Sequence, residues 1–192
     1  MTAPEGRIWL IRHAETAWSR DKKHTGRTDV PLTDRGRDAA RALRERLARE
    51  RFAAVLVSPL ARARETAELA GLGDRAQVRE DLVEFDYGDY EGITTADIRR
   101  ERPGWWLWRD GAPGGETPGD VGARVDRVIG EAQPLLDGGD VAIVAHGHVL
   151  RVLAARWLEQ PAAFGGRLAL ETGAVCTLGF EREVRVLTGW NA

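Results

Sequence analysis

The chain has 192 residues, a length that fits one domain spanning 1–192 and crowds two. Hydrophobic residues make up 43% and charged residues 30%, which excludes a disordered chain. Lys plus Arg is 28 against 30 for Asp plus Glu, a net charge of −2, and this balance argues against general binding to nucleic acid or to an anionic membrane. One cysteine, Cys176, excludes an intramolecular disulfide framework and a Cys-based zinc finger. Met1 to Gly6 has no basic segment followed by an apolar run, and no stretch approaches about 20 apolar residues. The expectation is a cytoplasmic protein with no signal peptide and no membrane span.

In chain order, the apolar run at residues 7–12 predicts a buried strand. Residues 13–32 are polar and rich in Thr, Gly, Asp and Pro, which predicts a long loop of the kind that often carries function. Thr33 caps an expected helix to about Arg51, with Leu43 and Leu47 on its inner face. Residues 53–57 predict a second strand. Ser58-Pro59 then reads as N-cap and first residue of a helix ending near Gly71. A weak strand is expected at 76–79, an acidic and aromatic loop at 80–93, and a short helix from Thr94 or Thr95 to Arg102. Breakers fill 111–119, a helix is expected over 120–136, a strand over 140–145 and a helix over 147–158. A final hairpin is expected from 174–180 and 184–188. This order predicts an α/β fold, a three-layer αβα sandwich on a mainly parallel sheet.

Three of these strands end in groups suited to a phosphate. The first ends in Arg12-His13; the second in Ser58, with Arg62 one helical turn on; the 140–145 strand in His146-Gly147-His148. Ligands of open α/β sheets bind beyond the carboxyl ends of strands, and helix N-termini attract anions. Two histidines and two arginines are therefore expected to converge on one anion. Four histidines in all, with no carboxylate at a ligand spacing, predict no metal site.

These residues carry a family resemblance. Arg12-His13-Ala14-Glu15-Thr16 resembles the Arg-His-Gly-Glu-Thr signature of the histidine phosphatase superfamily, in its phosphoglycerate-mutase-like branch. Four further segments follow in family order: Thr25 to Thr33, Ser58 to Ala67, Glu84 to Gly92, and Gly114-Gly115-Glu116-Thr117. Val144-Ala145-His146-Gly147 supplies the second histidine. The match covers about residues 7 to 188. Its Tyr87–Gly92 loop and Trp-rich segment look most like small actinobacterial acid phosphatases and are similar to fungal sugar bisphosphatases.

The resemblance implies a metal-independent phosphomonoester hydrolase with no cofactor, acting on small sugar phosphates or phosphorylated metabolites through a phosphohistidine. It makes His13 the nucleophile. Arg12, Arg62 and His146 would hold phosphoryl oxygens, while the neighbouring cations keep His13 neutral. Glu84 would protonate the leaving alkoxide and then activate water, a role that predicts an acidic pH optimum. Ser19, Thr25, Gly26, Tyr87 and the N–H of Gly147 fall where family members contact substrate, and His148 reads as a structural or rim residue. Trp105, Trp106 and Trp108 read either as local packing of a short helix or as an aromatic wall over the pocket.

Ala14 and Ala39 depart from the family's usual Gly and Gln without removing a catalytic group. The interval 93–113 is shorter than in cofactor-dependent mutases, which suggests a more open site. Two other readings stay open: a cofactor-dependent phosphoglycerate mutase and a non-catalytic phospho-ligand binding module. A small phosphorylated substrate is the expected partner, with neither nucleic acid nor membrane, and the sheet edge near 174–188 leaves room for a homodimer.

Overall fold

The computed structural model describes residues 4–192; the first three residues of the expected leaderless Met1–Gly6 segment lie outside that range. Six strands form one sheet in the order β3-β2-β4-β1-β5-β6. They are β1 (Ile8–Arg12), β2 (Phe52–Val57), β3 (Ala76–Val78), β4 (Asp140–Ala145), β5 (Val175–Glu181) and β6 (Val184–Gly189). β1 through β4 run parallel to their neighbours among themselves, and β5 pairs antiparallel with both β1 and β6.

The central strands are apolar on both faces because helices cover both. In β1, Ile8 and Leu10 enter one core cluster while Trp9 and Ile11 enter another; in β4, Val141 and Ile143 divide from Ala142 and Val144 in the same way. Alternation of period two therefore feeds two cores, and the sequence shows a continuous apolar run. One face is packed by α6 (Pro118–Leu135) and α7 (Gly147–Trp157), the other by α2 (Asp34–Leu47) and α3 (Ala61–Leu69). This is the expected three-layer arrangement.

Most expected elements lie within a few residues of their observed bounds, and four differences have local causes. The 13–32 loop contains one turn of helix, α1 (Ala17–Arg20), closed by a capping box between Thr16 and Ser19. The sixth helix begins at Pro118, ahead of the expected 120, because Thr117 caps it and Pro118 takes its first position. Ser58 does not cap α3. That helix starts at Ala61, and the Asp29 carboxylate, brought in from the long loop, accepts from the Ala61 N–H at 3.0 Å. Ser58 is instead bonded to His146, which leaves the helix end to Asp29. The 93–113 interval folds as two short helices, α4 (Thr95–Glu101) and α5 (Leu107–Asp110).

The C-terminal ends of β2, β4 and β1 fall on one edge of the sheet. The ladder continues one step past each strand, with the His13 N–H donating to the Ala145 carbonyl at 2.9 Å and the Ser58 N–H to the Val144 carbonyl at 3.0 Å. Backbone pairing thus brings His13, Ser58 and His146 together across more than 130 residues of sequence. Behind this edge, Gly36 at the start of α2 sits so close to the 13–16 turn that a Cβ there would lie 2.2 Å from the Glu15 carbonyl oxygen. Gly36→Ala should therefore overpack the turn and lower stability by about 1–3 kcal/mol. Urea unfolding measures this, and an unchanged midpoint with unchanged activity would contradict the fit.

Candidate active site

A cavity of about 300 Å3 opens at this edge. Its wall includes Arg12, His13, Ser19, Thr25, Glu84, Tyr87 and His148, all singled out from the sequence. It also includes Lys22, Lys23, His24 and Thr95, which the sequence reading passed over. The available signal was compositional: Lys22 and Lys23 are the only lysines in the chain and directly precede the His24-Thr25-Gly26 segment.

His13 is buried at the cavity floor. Its Nδ1 lies 2.7 Å from the Ala14 carbonyl oxygen. A carbonyl only accepts, so Nδ1 carries the proton and Nε2 keeps its lone pair. Burial, reinforced by the Arg12 and Arg62 guanidiniums, pushes the imidazole pKa down to about 3. The nucleophile expected from the sequence is a neutral imidazole with its free nitrogen fixed by the backbone.

Arg12 projects beside it. One terminal nitrogen donates to the Leu170 carbonyl at 2.5 Å, and the buried Nε–H has no partner among the described residues. An unpaired buried donor on a cation is costly, and an anion in the cavity would satisfy it. Gly147 lets α7 approach this guanidinium, since a Cβ there would lie 3.1 Å from its central carbon.

Arg62 and His146 stand behind this wall. Arg62 is fully buried and donates to the carbonyls of Thr28 (2.9 Å), Thr25 (3.0 Å) and Gly26 (2.9 Å), and through Nε to His146 Nδ1 (3.1 Å). That last bond makes Nδ1 an acceptor, so His146 Nε2 carries the proton and donates to Ser58 Oγ at 2.6 Å. The His146 and His13 rings are 5.1 Å apart. Both side chains are thus largely committed to shaping the 25–28 loop and setting the local field, with both ring nitrogens of His146 already bonded. Gly26 belongs to the same brace: its N–H donates to the Glu91 carboxylate at 2.9 Å, and a Cβ would lie 2.6 Å from the Phe85 carbonyl oxygen.

Among the described residues, Glu84 is the only carboxylate on the cavity wall. Its oxygens accept from the N–H groups of Phe85 (2.9 Å), Val149 (2.9 Å) and His148 (3.0 Å), the last two in the first turn of α7. Burial acts to raise its pKa, but bonding to His148 and the nearby imidazoles outweigh it, and the carboxyl is held well below its usual range. The environment of the resting carboxyl thus favours its ionised form, so the general-acid role expected of Glu84 needs a source for its proton. Arg124, also missed from sequence, fixes the loop behind it by donating to the carbonyls of Asp81, Val83 and Glu84 and pairing with Glu116.

The tryptophans support the wall from behind. Trp105 and Trp108 are buried and pack on His24 and His148, with ring centroids 5.6 and 5.3 Å away. Trp106 is turned outward and is 37% exposed. The local-packing reading of this segment holds, and the aromatic-wall reading is corrected: none of the three lines the cavity, because histidines intervene.

A neutral buried His13 has a consequence for stability. Between the ordinary imidazole value of 6.5 and about 3 the unfolded chain binds a proton that the folded protein does not. Stability therefore falls as pH falls through that window, by up to about 1.4 kcal/mol per pH unit for this residue. His13→Asn should flatten the pH dependence of the urea midpoint below pH 6.5; an unchanged slope would show that His13 is not buried neutral.

Comparison with known proteins agrees with this geometry. Residues 8–192 match the Histidine phosphatase superfamily (branch 1). An acid phosphatase of Mycobacterium tuberculosis is 42% identical over 183 residues, covering 94% of this chain and 90% of that one. A sedoheptulose 1,7-bisphosphatase of Saccharomyces cerevisiae is 37% identical over 182 residues, covering 79% and 67%. The solved structure of the Mycobacterium tuberculosis open reading frame Rv3214 superposes with a TM-score of 0.93 at 40% identity, over 97% of each chain. With the match running almost from end to end, this chain belongs to branch 1 of the histidine phosphatase superfamily.

Proposed function

We propose that the protein is a metal-independent phosphomonoester hydrolase that acts on small sugar phosphates and related phosphorylated metabolites through a phospho-His13 intermediate. The observation that carries this reading is the free Nε2 lone pair of neutral His13, on the same cavity wall as the Arg12 guanidinium and the Glu84 carboxylate. The acid phosphatase and sugar bisphosphatase among its relatives support the substrate class.

In the first step Nε2 of His13 attacks phosphorus, the bond from phosphorus to the ester oxygen breaks, and the leaving alkoxide takes a proton from Glu84. In the second, Glu84 removes a proton from water as the water oxygen attacks phosphorus and the phosphorus–nitrogen bond breaks. Arg12 offers donors to the charge that develops on the phosphoryl oxygens, and Arg62 adds its field from behind. The exposed Lys22 and Lys23 on the wall keep the cavity in contact with solvent, which favours hydrolysis of the intermediate over its retention, as a mutase would require.

Glu84 is ionised before substrate arrives, so its proton has another source. A phosphate monoester entering as its monoanion brings one proton, and burial beside the phosphoryl group moves that proton onto the carboxylate. The alkaline limb of kcat/KM should then follow the second ionisation of the ester, near pH 6 for an alkyl phosphate. Changing the ester to trichloroethyl phosphate, whose second ionisation is lower, should shift the limb to lower pH. A limb fixed in position across esters would contradict this proton inventory.

His13→Ala should lower kcat by at least about a thousandfold and remove the acid-labile phosphohistidine trapped by alkaline quench. Glu84→Gln should lower kcat about a hundredfold or more on alkyl phosphates and less on p-nitrophenyl phosphate, whose leaving group needs little protonation. Full turnover in the His13 variant would overturn the mechanism.

A further inference from the structure

All four histidines of the chain stand at this site, and the nucleophile and its neighbour account for two. His24 and His148 are left. His24 is buried, with Nδ1 2.7 Å from the Ile93 carbonyl oxygen. The carbonyl can only accept, so His24 Nδ1 carries the proton and Nε2 is an acceptor. His148 Nδ1 lies 2.6 Å from the Tyr87 hydroxyl. Tyr87 is almost fully buried and its hydroxyl has no other hydrogen bond among the described residues. Glu84 Oε2, 3.8 Å from the same nitrogen, is beyond hydrogen-bond reach, and an imidazole donor there would leave the phenol proton without a partner among the described residues, so the phenol donates and His148 carries its proton on Nε2.

The two rings thus present opposite polarity. Neither Nε2 has a hydrogen-bond partner among the described residues, neither is sealed from solvent, and both rings line the cavity that holds His13. They lie nearly parallel, 19° between planes and 6.3 Å between centroids. Tyr87 packs edge-on against both, at 4.7 and 5.7 Å, and Trp105 and Trp108 back them. Side chains locked in one tautomer by buried partners are a pre-organised recognition element.

We infer that His24 and His148 form a two-point reader of the leaving alcohol: His24 Nε2 accepts from one hydroxyl, and the His148 Nε2–H donates to another oxygen. The site therefore selects phosphate esters of polyhydroxylated alcohols over esters whose alcohol has no further hydroxyl. This inference rests on the proposed phosphomonoester hydrolysis and adds the residues that choose the substrate. A site built to pair with hydroxyls discriminates against their absence because its own polar groups are then left unpaired.

The test compares kcat/KM for ribose 5-phosphate and n-pentyl phosphate, two esters of primary alcohols, in the full-length protein and in His24→Phe and His148→Phe. Phenylalanine keeps the ring packing and removes the reading nitrogen. The unsubstituted protein should prefer ribose 5-phosphate, and the ratio of the two values should fall about tenfold or more in each variant. Tyr87→Phe, which frees the His148 tautomer, should lower the ratio by a smaller factor. Should one variant fail to fold, the other still decides. Equal losses on both esters, or no initial preference for ribose 5-phosphate, would overturn the reader. Hydrolysis of p-nitrophenyl phosphate with neither alkyl ester turned over would also overturn it while leaving the hydrolase reading intact. Release of phosphate from none of the three would overturn the hydrolase reading as well.

Discussion

A neutral imidazole at residue 13, buried at the cavity floor beside two cations, is the condition on which the rest of the site depends. An imidazole that gained a proton there would lose its lone pair and add a third positive charge beside Arg12 and Arg62. The fold prevents this with elementary means. Parallel pairing of β1 with β4 places His13 one residue beyond a buried strand, and the Ala14 carbonyl holds the single proton on Nδ1. The same logic extends outward. Arg62 fixes the tautomer of His146, Ile93 that of His24 and Tyr87 that of His148. Each ring therefore offers a defined donor or acceptor, and the chemistry of the site follows from those assignments.

Charge and hydrogen bonding also explain how one carboxylate would serve the two proposed half-reactions. The first turn of α7 gives two N–H groups to Glu84 and Phe85 gives a third. They stabilise the ionised form, which is the form that activates water. In the proposed mechanism the acid form arises when a phosphate monoanion delivers its proton into the same cavity. Helix N-terminus and substrate would thus favour opposite protonation states, and the proposed reaction alternates between them.

Much of the fold was legible in the sequence because buried strands are continuous apolar runs and helices announce their caps. Residues 140–145 and 147–157 could be read almost to the residue for that reason. The motif residues His13, Arg12 and Glu84 were legible through family resemblance, and the structure brings them to one cavity. What escaped was set by partners distant in sequence. Ser58 reads locally as a cap, but His146 claims its hydroxyl and Asp29 takes over the helix end. Glu84 reads as an acid by role, but its ionisation is set by His148 and the other imidazoles around it, with backbone N–H groups 64 and 65 residues away adding to the effect. His24 has no motif to mark it; only the packing of Tyr87 and Trp105 and the Ile93 carbonyl reveal its orientation.

The central claim is phosphoryl transfer from an ester to His13 and then to water, without a metal. A phosphorus NMR time course in excess chelator tests it most directly, with one tube holding sugar phosphates and a second holding 3-phosphoglycerate with a trace of 2,3-bisphosphoglycerate. The account predicts that inorganic phosphate grows at the expense of the sugar phosphates despite the chelator. Growth of 2-phosphoglycerate without free phosphate, or phosphate release that stops when chelator is added, would contradict it.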